Sequence, residues 1–439
     1  MVFMRIILKL VAALSLASIA VPPDTAFVRV AYSDSPVAPS DPPLVRTAGR
    51  HIRLITDLDA EQASRLTEAF DAAVPQWQST YRLDQNQTND FVVRAFVMVD
   101  RERFRRDGWL PDTLPPFAFG YALDDRVFVN RAESEYYTRH LLLHEGVHSL
   151  FLHVHRHTGP YWFAEGTAEW LATHRSGDDG LRIGIVPESP ESAPYWARVT
   201  VLDRMKRDGE LPSVGSVLSM PPTTEGNLNR YAPAWSMMRM LATYDDTRSI
   251  ITKPSELTLD SLLRFNRMFT ERHPGGRTLW SARWRVWCES VGYGMQPERH
   301  RTTLSIDDPA FDGSTFRRDV TADRGFQSVG VVFPAGTTIE IRAIGDCVLA
   351  NQPKPWRSEP QGVSIRYVND RPLGRLIAMV LPKRPDDAPV LPPAEIVSVG
   401  RGSTIRFDQP SWLLLRINDA TGELDDNTGG YPVRIRKLP

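Results

Sequence analysis

Residues 140–151 read HLLLHEGVHSLF, which places two histidines and a glutamate in an H-E-x-x-H arrangement within an apolar run. Side chains four positions apart lie on the same face of a helix, so His144 and His148 can direct two imidazoles at one metal ion. Glu145 stands beside that position and is placed to take a proton from a water molecule. Taken alone, the pentapeptide fits either a zinc site or a chance spacing in a buried helix.

A second stretch supplies candidate carboxylate ligands. Residues 159–174, GPYWFAEGTAEWLATH, indicate a buried helix that carries Glu165 and Glu169 on one face. Burying two carboxylates among aromatic residues is costly unless something positive pairs with them. A zinc ion and a zinc-bound histidine would do so, since a catalytic zinc site takes three protein ligands and keeps one position open. The alternative, in which both glutamates are solvated, fits poorly with the flanking aromatic residues.

HEGVH followed by WFAEGTAEWL resembles the gluzincin metallopeptidases, the peptidase-MA group that includes thermolysin and the zinc aminopeptidases. The resemblance implies an α+β, thermolysin-like fold in which His144, His148 and Glu165 hold zinc and Glu145 is the catalytic base. It also implies that Glu169 holds a ligand histidine by its other ring nitrogen. Glu165 follows His148 by 17 positions, slightly fewer than is usual in the family.

Members of this family also donate a hydrogen bond to the tetrahedral oxyanion, often from a tyrosine before a later helix. Tyr231 matches that context at the start of YAPAWSMMRMLATY (231–244), and His273 is a weaker alternative donor. Tyr231 also fits an ordinary aromatic residue at a helix boundary. The histidines of HVHRH (153–157) favour a solvated tail over a second metal site.

The G-x-M-E-N segment with which zinc aminopeptidases grip a substrate amine is missing from the sequence. Residues 120–130 are expected to form one strand, in the place where these folds keep an edge strand that pairs with an extended peptide. An endopeptidase is therefore favoured over an aminopeptidase. Two other functions stay open: metal-dependent hydrolysis of a non-peptide bond, and a catalytically silent surface- or glycan-binding protein that keeps the zinc-peptidase fold.

Composition and the N-terminus indicate an exported globular protein. Its 42% hydrophobic and 24% charged residues are ordinary for a soluble protein. The 52 basic and 53 acidic residues nearly cancel, so nothing points to nucleic acid or an anionic membrane as a partner. At the N-terminus, Arg5 and Lys9 precede an apolar run that is too short to span a bilayer. This pattern predicts a cleaved signal peptide, a periplasmic or extracellular location, and no membrane span in the mature chain.

Near residue 300 the helical periodicity gives way to short β-rich runs separated by turns, which is typical of a sandwich or barrel. Two cysteines, Cys288 and Cys347, could pair in an exported chain or remain free. We expect five segments along the chain: a signal peptide (1–20), a Pro/Ser-rich leader (21–47), a gluzincin-like metallopeptidase domain (48–300), a linker (301–314) and an all-β sandwich (315–439).

The last segment contains an acidic turn. Calcium prefers clusters of carboxylate, amide and backbone oxygens, although acidic hairpin loops commonly hold no ion. PAGTTIEIRAIGD (334–346), PLGRLIAMV (372–380) and LLLRINDATGELDDNTGGYPVRI (413–435) together resemble the PA-I galactophilic lectin family. The polar residues of this turn are Asp419, Glu423, Asp425, Asp426 and Asn427.

This second resemblance implies a calcium-binding β-sandwich. Its calcium ligands would be Asp419, Asp426 and Asn427, with Glu423 contributing its backbone oxygen. Gln361 matches a sugar-contacting glutamine, whereas the sugar-contacting histidine of the family has no counterpart here. The resemblance thus implies a carbohydrate or glycoprotein partner in addition to a peptide or protein substrate.

Overall fold

The computed structural model describes residues 41–222, 227–256, 261–352, 354–386 and 388–439. The predicted signal peptide lies outside these residues, as does most of the predicted leader. In the described residues the chain is a mixed α+β structure with a β-rich C-terminal region, and this part of the fold prediction is confirmed. None of the described helices is long and apolar enough to cross a membrane.

One five-stranded sheet begins the fold. The order of its strands is β1-β2-β3-β5-β4, in which the central three are parallel and both edge strands are antiparallel to their neighbours. The first strand includes the last residues of the predicted leader, which are therefore paired rather than free. The strands are β1 (Val45–Ala48), β2 (Ile52–Thr56), β3 (Val93–Met98), β4 (Gly120–Leu123) and β5 (Arg126–Asn130).

The single strand expected over residues 120–130 is wrong, because the structure has a hairpin there. Leu123 of β4 lies opposite Arg126 of β5, and Asp124 between them takes a left-handed conformation with φ 53°. Aspartate tolerates this conformation better than most residues, so a tight turn forms without glycine. The consequence is that β4 becomes an edge strand of the sheet.

Most helices of the chain follow or flank this sheet. Asp59 and Ser134 begin two of them as N-caps: their side chains accept hydrogen bonds from the backbone of Gln62 and Tyr137. A short hairpin, β6 (His174–Gly177) with β7 (Gly180–Ile183), follows the fourth helix. The helices are α1 (Ala60–Tyr81), α2 (Arg101–Arg106), α3 (Glu135–His155), α4 (Tyr161–Ala172), α5 (Arg198–Asp208), α6 (Val214–Leu218), α7 (Leu228–Thr243), α8 (Asp245–Ile251), α9 (Leu262–Arg272) and α10 (Gly276–Ser290).

The β-rich region consists of two sheets that share one apolar core. Alternate residues of the strands, such as Ile339 and Ile341, point into that core while their neighbours face outward. The first sheet contains β8 (Phe316–Thr321), β10 (Thr338–Ala343), β11 (Cys347–Val348), β12 (Arg357–Ser358), β16 (Gly402–Arg406) and β18 (Thr428–Lys437). The second contains β9 (Gln327–Phe333), β13 (Gln361–Val368), β14 (Arg371–Pro382), β15 (Glu395–Ser398) and β17 (Ser411–Ile417).

The outer face of the second sheet is not solvated, because it packs on α10. Leu279 and Val286 of α10 share an apolar cluster with Met379 and Trp412 of the sheet. The predicted linker, residues 301–314, is itself packed: Phe311 is buried, and its N–H donates to the carbonyl of Val332 at 2.8 Å. The two regions therefore meet through apolar contacts rather than through a free connection.

The two cysteines lie in different cores and do not pair. Cys288 belongs to the core of the helical region, whereas Cys347 belongs to that of the two β-sheets. Both are free and buried, and the thiol of Cys347 donates to the hydroxyl of Tyr431 at 3.3 Å. Cys288 and Cys347 therefore do not form a disulfide in this structure. Their positions in the sequence do not reveal that they belong to different cores.

Candidate metal centre

Two helices that contact each other, α3 and α4, supply the predicted ligands. His144 and His148 lie one turn apart on α3, and Glu165 lies on α4. Gly166 allows α4 to pack closely on α7, since a Cβ at this position would lie 2.5 Å from the carbonyl oxygen of Ala234. This close approach brings the start of α7, including Tyr231, towards the ligands.

The three predicted ligand side chains converge. Nε2 of His144 lies 3.2 Å from both Oε2 of Glu165 and Nε2 of His148, and the latter nitrogen lies 3.6 Å from Oε2 of Glu165. Donor atoms bound to one tetrahedral zinc at about 2.0–2.1 Å would be roughly 3.3 Å apart. The separations therefore fit a single ion, and this group could hold a metal.

A second group, His140, His144 and Glu169, also has the composition of a metal site. Its glutamate is already engaged: Arg198 donates to its two carboxylate oxygens at 2.7 and 3.0 Å. His140 is completely buried, so a cation here would have no open position for water or substrate. A guanidinium in contact with the same carboxylate would also repel it. We therefore place the candidate ion at His144, His148 and Glu165.

Glu169 lies beside the ring nitrogen of His144 that faces away from the ligand group. Its Oε1 lies 3.4 Å from Nδ1 of His144, and its Oε2 lies 3.3 Å from Nε2 of His140. The rings of Tyr136 and Tyr137 stack on His140. This buried network lies on the Nδ1 side of His144 and fixes the orientation of its ring, whose Nε2 faces the other candidate ligands.

The charges of this network are mutually dependent. Burial alone would lower the pKa of His144, but its hydrogen bonds to Glu165 and Glu169 raise that pKa well above its usual value. Burial would raise the pKa of Glu165, yet His148 and His144 lower it to about 2. The pKa of Glu169 is held well below its usual value despite burial, chiefly by Arg198. A bound metal would replace the proton on His144, because imidazole must be deprotonated to be a ligand.

Glu145 is buried beside the ligands and under the edge strand β4. A Cβ at Gly120 would lie 2.6 Å from its Oε1, so only glycine leaves the carboxylate undisturbed there. Burial raises the pKa of Glu145; the nearby histidines 144 and 148 oppose this effect. The sequence does not predict that Gly120 lies close to Glu145, because it indicates one strand over residues 120–130 and not the turn at Asp124 that separates β4 from β5.

Of the two candidate oxyanion donors, the structure brings only Tyr231 to the site. Its ring lies edge-on to His144 at 6.1 Å between centroids, stacks on Tyr161 at 6.5 Å, and lies 5.5 Å from the guanidinium carbon of Arg198. Burial raises its pKa, so the phenol keeps its proton. His273 instead stacks on Trp280 at 5.1 Å, and its Nδ1 bonds to the carbonyl of Pro274 at 2.9 Å.

The histidines of the HVHRH tail do not form a metal site in the described residues, where only the two groups above bring three ligands together. Nε2 of His153 lies 3.2 Å from a carboxylate oxygen of Asp90, and His155 packs against Phe151. His140 and Arg198 were missed from the sequence. The i, i+4 spacing of His140 and His144 on α3 was a signal for the first, whereas no spacing marks Arg198.

Two of the predicted calcium ligands converge in the acidic turn. The amide of Asn427 donates to Oδ2 of Asp419 at 2.9 Å, and both side chains are buried. Burial raises the pKa of Asp419 to about 6. Glu423 is expected to contribute only its backbone oxygen, and its side chain pairs with Arg366. Asp426 is exposed, and its backbone oxygen accepts a hydrogen bond from the side-chain amide of Asn351.

Gln361, the predicted sugar contact, is the first residue of the edge strand β13. It is exposed, and its side-chain amide donates to a carboxylate oxygen of Glu359 at 3.2 Å. The residue is therefore accessible to a ligand, but its present partner is a neighbouring acid.

No protein-family model matches this sequence, and no curated protein matches it. Among solved structures, the N-terminal domain of EclA, a PllA-like lectin, is similar at 22% identity, with 28% of this chain and 96% of that chain covered and a TM-score of 0.22. PliG of Aeromonas hydrophila, a periplasmic inhibitor of g-type lysozyme, is similar at 6% identity, with coverage of 31% and 94% and a TM-score of 0.15. With such TM-scores, neither likeness supports a conclusion about fold or function.

We expect Glu165→Ala to abolish metal binding, because it removes one of three ligand side chains. Glu169→Ala should weaken zinc affinity by about 10–100-fold, since it removes only the support of a ligand histidine. The measurement is zinc content by mass spectrometry after gel filtration, with affinity from competition against a chelator. Glu68→Ala, at an exposed glutamate of α1, is the matched control. If Glu169→Ala lost zinc and Glu165→Ala retained it, the assignment of the ligand would be wrong.

Proposed function

We propose that this chain is an exported zinc-dependent hydrolase of peptide bonds, and more specifically an endopeptidase. The observation that carries the proposal is the position of Glu145, which is buried between the convergent group His144, His148 and Glu165 and the edge strand β4. A site that only stored a metal would have no need of an additional carboxylate next to the ligands. Export rests on the sequence of residues 1–20 alone.

The choice of zinc rests on the donor set. Two imidazoles and one carboxylate suit Zn²⁺ better than Ca²⁺ or Mg²⁺, which prefer oxygen ligands. Zinc bound here would supply a Lewis acid that polarises the substrate carbonyl and lowers the pKa of water, so that the water can lose a proton and attack that carbonyl. The remaining steps belong to side chains of the chain itself.

Glu145 acts as the base. Its carboxylate accepts the proton of the attacking water and then delivers it to the leaving amine, so one residue serves both steps. Tyr231 donates its phenolic hydrogen to the oxygen that gains negative charge in the transition state. Glu169 and Arg198 hold His144 in place throughout, since both are buried and hydrogen-bonded to one another.

A peptide is favoured over a small ester or amide because β4 is an edge strand of the sheet and passes Glu145 at Gly120. An extended substrate can pair with an edge strand through its backbone and be held with a carbonyl near the base. Hydrolysis of another bond by the same groups is the second candidate. A glycan-binding protein without activity is the third, and the complete set of ligands, base and donor argues against it.

We expect Glu145→Gln to keep zinc and to lose hydrolysis of a mixed peptide library by about a hundredfold or more, because an amide cannot accept the proton. Turnover and zinc content are measured on the same preparation. Glu68→Gln, the same change at an exposed position, serves as the control and should keep both. Activity of Glu145→Gln near that of the unmodified chain would remove Glu145 from the mechanism.

We expect Tyr231→Phe to lower kcat by about a hundredfold or more with little change in KM, as for loss of an oxyanion donor. Tyr161→Phe is the matched control, since that ring stacks on Tyr231 and carries a buried hydroxyl with no partner. An unchanged rate in Tyr231→Phe, or a larger loss in Tyr161→Phe, would transfer the role to another group.

We also propose that calcium binds between Asp419 and Asn427 in the β-rich region. Oδ1 of Asn427 is buried without a hydrogen-bond partner among the described residues. A calcium ion coordinated by this oxygen and by the carboxylate of Asp419 would satisfy both groups. The Glu423 side chain is turned to Arg366, so only its backbone oxygen would remain available. A carbohydrate or glycoprotein partner would depend on this ion and on the exposed Gln361.

We expect millimolar calcium to raise the melting temperature of the full chain by a few degrees, because an ion at a hundredfold excess over its Kd adds about 2.7 kcal/mol to the stability of the folded state. Magnesium at equal concentration is the ionic control. Asp419→Ala should remove the calcium effect, whereas Asp408→Ala, at an exposed acid, should retain it. A melting temperature indifferent to calcium in the unmodified chain would exclude the ion site.

A further inference from the structure

A cavity of 1510 Å³ lies apart from the candidate ligands, none of which lines it. Its walls come from both regions of the chain: Tyr136 and Arg139 belong to α3, whereas Arg324 belongs to the loop between β8 and β9. Several arginines line it. For two of them, Arg139 and Arg239, the described residues provide no carboxylate in an ion pair, although a largely buried guanidinium usually has such a partner.

Arg139 has a neutral partner. Its Nε donates to Nε2 of His174 at 2.7 Å, and the other ring nitrogen of His174 bonds to the carbonyl of Ala172 at 2.8 Å. Burial lowers the pKa of His174 to about 3, so this imidazole carries no charge at neutral pH and accepts the bond as a neutral base. Among the described residues, no carboxylate forms an ion pair with Arg139.

Arg239 is less satisfied still. Its Nε is buried without a hydrogen-bond acceptor, and its Nη1 donates only a long bond, 3.5 Å, to Thr243. Glu298 also lines the cavity and attracts Arg239 at a distance, but this carboxylate is already contacted by Arg248 at 3.5 Å and Arg301 at 3.6 Å. Burial lowers the pKa of Arg239 to about 10, and the group still carries its charge at neutral pH.

A partly buried cation without a counter-charge has lost some of its hydration and has no ion pair in return, which disfavours the folded state. Guanidinium cannot relieve that cost by losing its proton at neutral pH, and its fork of N–H groups matches the geometry of carboxylate, sulfate and phosphate. An anion that enters the cavity and pairs with Arg139 and Arg239 would supply the missing counter-charge.

We propose that this cavity binds a small oxyanion through Arg139 and Arg239. The ligand class is a compound that bears one carboxylate, sulfate or phosphate group. A polyanion does not fit, because the same cavity is also lined by Glu188, Glu191 and Asp425, and these acids would repel further negative charge. The proposal does not depend on hydrolysis, since no ligand or base of the candidate metal centre lines the cavity.

The test is calorimetric titration of the zinc-loaded full chain with sodium sulfate, phosphate and acetate, at an ionic strength held constant with chloride. Saturable binding of one anion per chain is expected, and the comparison of the three salts tells tetrahedral oxyanions from carboxylates. Arg139→Gln and Arg239→Gln should each weaken binding by about tenfold or more, as expected for loss of a charge-assisted hydrogen bond. Arg94→Gln, at an exposed arginine paired with Asp125, is the control and should bind as the unmodified chain does.

Circular dichroism checks that the variants are folded. If Arg239→Gln does not fold, Arg239→Lys keeps the positive charge but loses the planar fork, and it should bind more weakly while remaining folded. A heat signal that never saturates would overturn the proposal. So would equal affinity in the unmodified chain, Arg139→Gln, Arg239→Gln and Arg94→Gln. Binding that survives both arginine changes but disappears in Glu165→Ala would place the anion at the metal and would equally overturn it.

Discussion

Two carboxylates on one face of the apolar helix α4 must each meet a positive partner, and this requirement fixes how the neighbouring helices pack. Glu169 is 2% exposed and is satisfied by Arg198, at the start of α5. One turn earlier, Glu165 faces the histidines of α3. A carboxylate left alone in this interior would cost several kcal/mol, so α3, α4 and α5 cannot separate or rotate independently. The candidate metal centre is thus a consequence of how α4 is buried.

The site was largely predictable because its members lie on two helices at helical spacing. His144 and His148 follow from the spacing of the H-E-x-x-H motif, whereas Glu165 is assigned as the third ligand through the resemblance to gluzincins. In the structure the side chains of the three residues converge. Arg198 could not be predicted, since it reaches Glu169 from 29 positions along the chain and its local sequence resembles any helix start. Local sequence motifs indicate the candidate ligands. The residue that supports Glu169, Arg198, is brought to the site only by tertiary packing.

Errors in the fold prediction have a similar origin. Apolar residues on both sides of Asp124 suggested one strand, although the left-handed backbone at this residue turns the chain into a hairpin. The polar, irregular residues at 301–314 predict a linker but do not show that the apolar side chains of Leu304 and Phe311 within it are buried. In each case a few residues decide the local structure, and average composition over ten or more positions conceals them. The coarse division into a mixed α+β part and a β-rich part was robust, because it depends on periodicity summed over many elements.

Burial also differs between the two sides of the candidate centre. The side chains of His148 and Glu165 are 13% and 18% exposed, whereas those of His144 and Glu169 are 6% and 2% exposed. The closed side is therefore the one occupied by Glu169, His140 and Arg198, and the group formed by His144, His148 and Glu165 is more exposed on the other side. A preorganised, partly dehydrated site of this kind strengthens the electrostatic effect of each fixed group on developing charge. The same burial that makes α4 expensive to fold is what would make its carboxylates effective in catalysis.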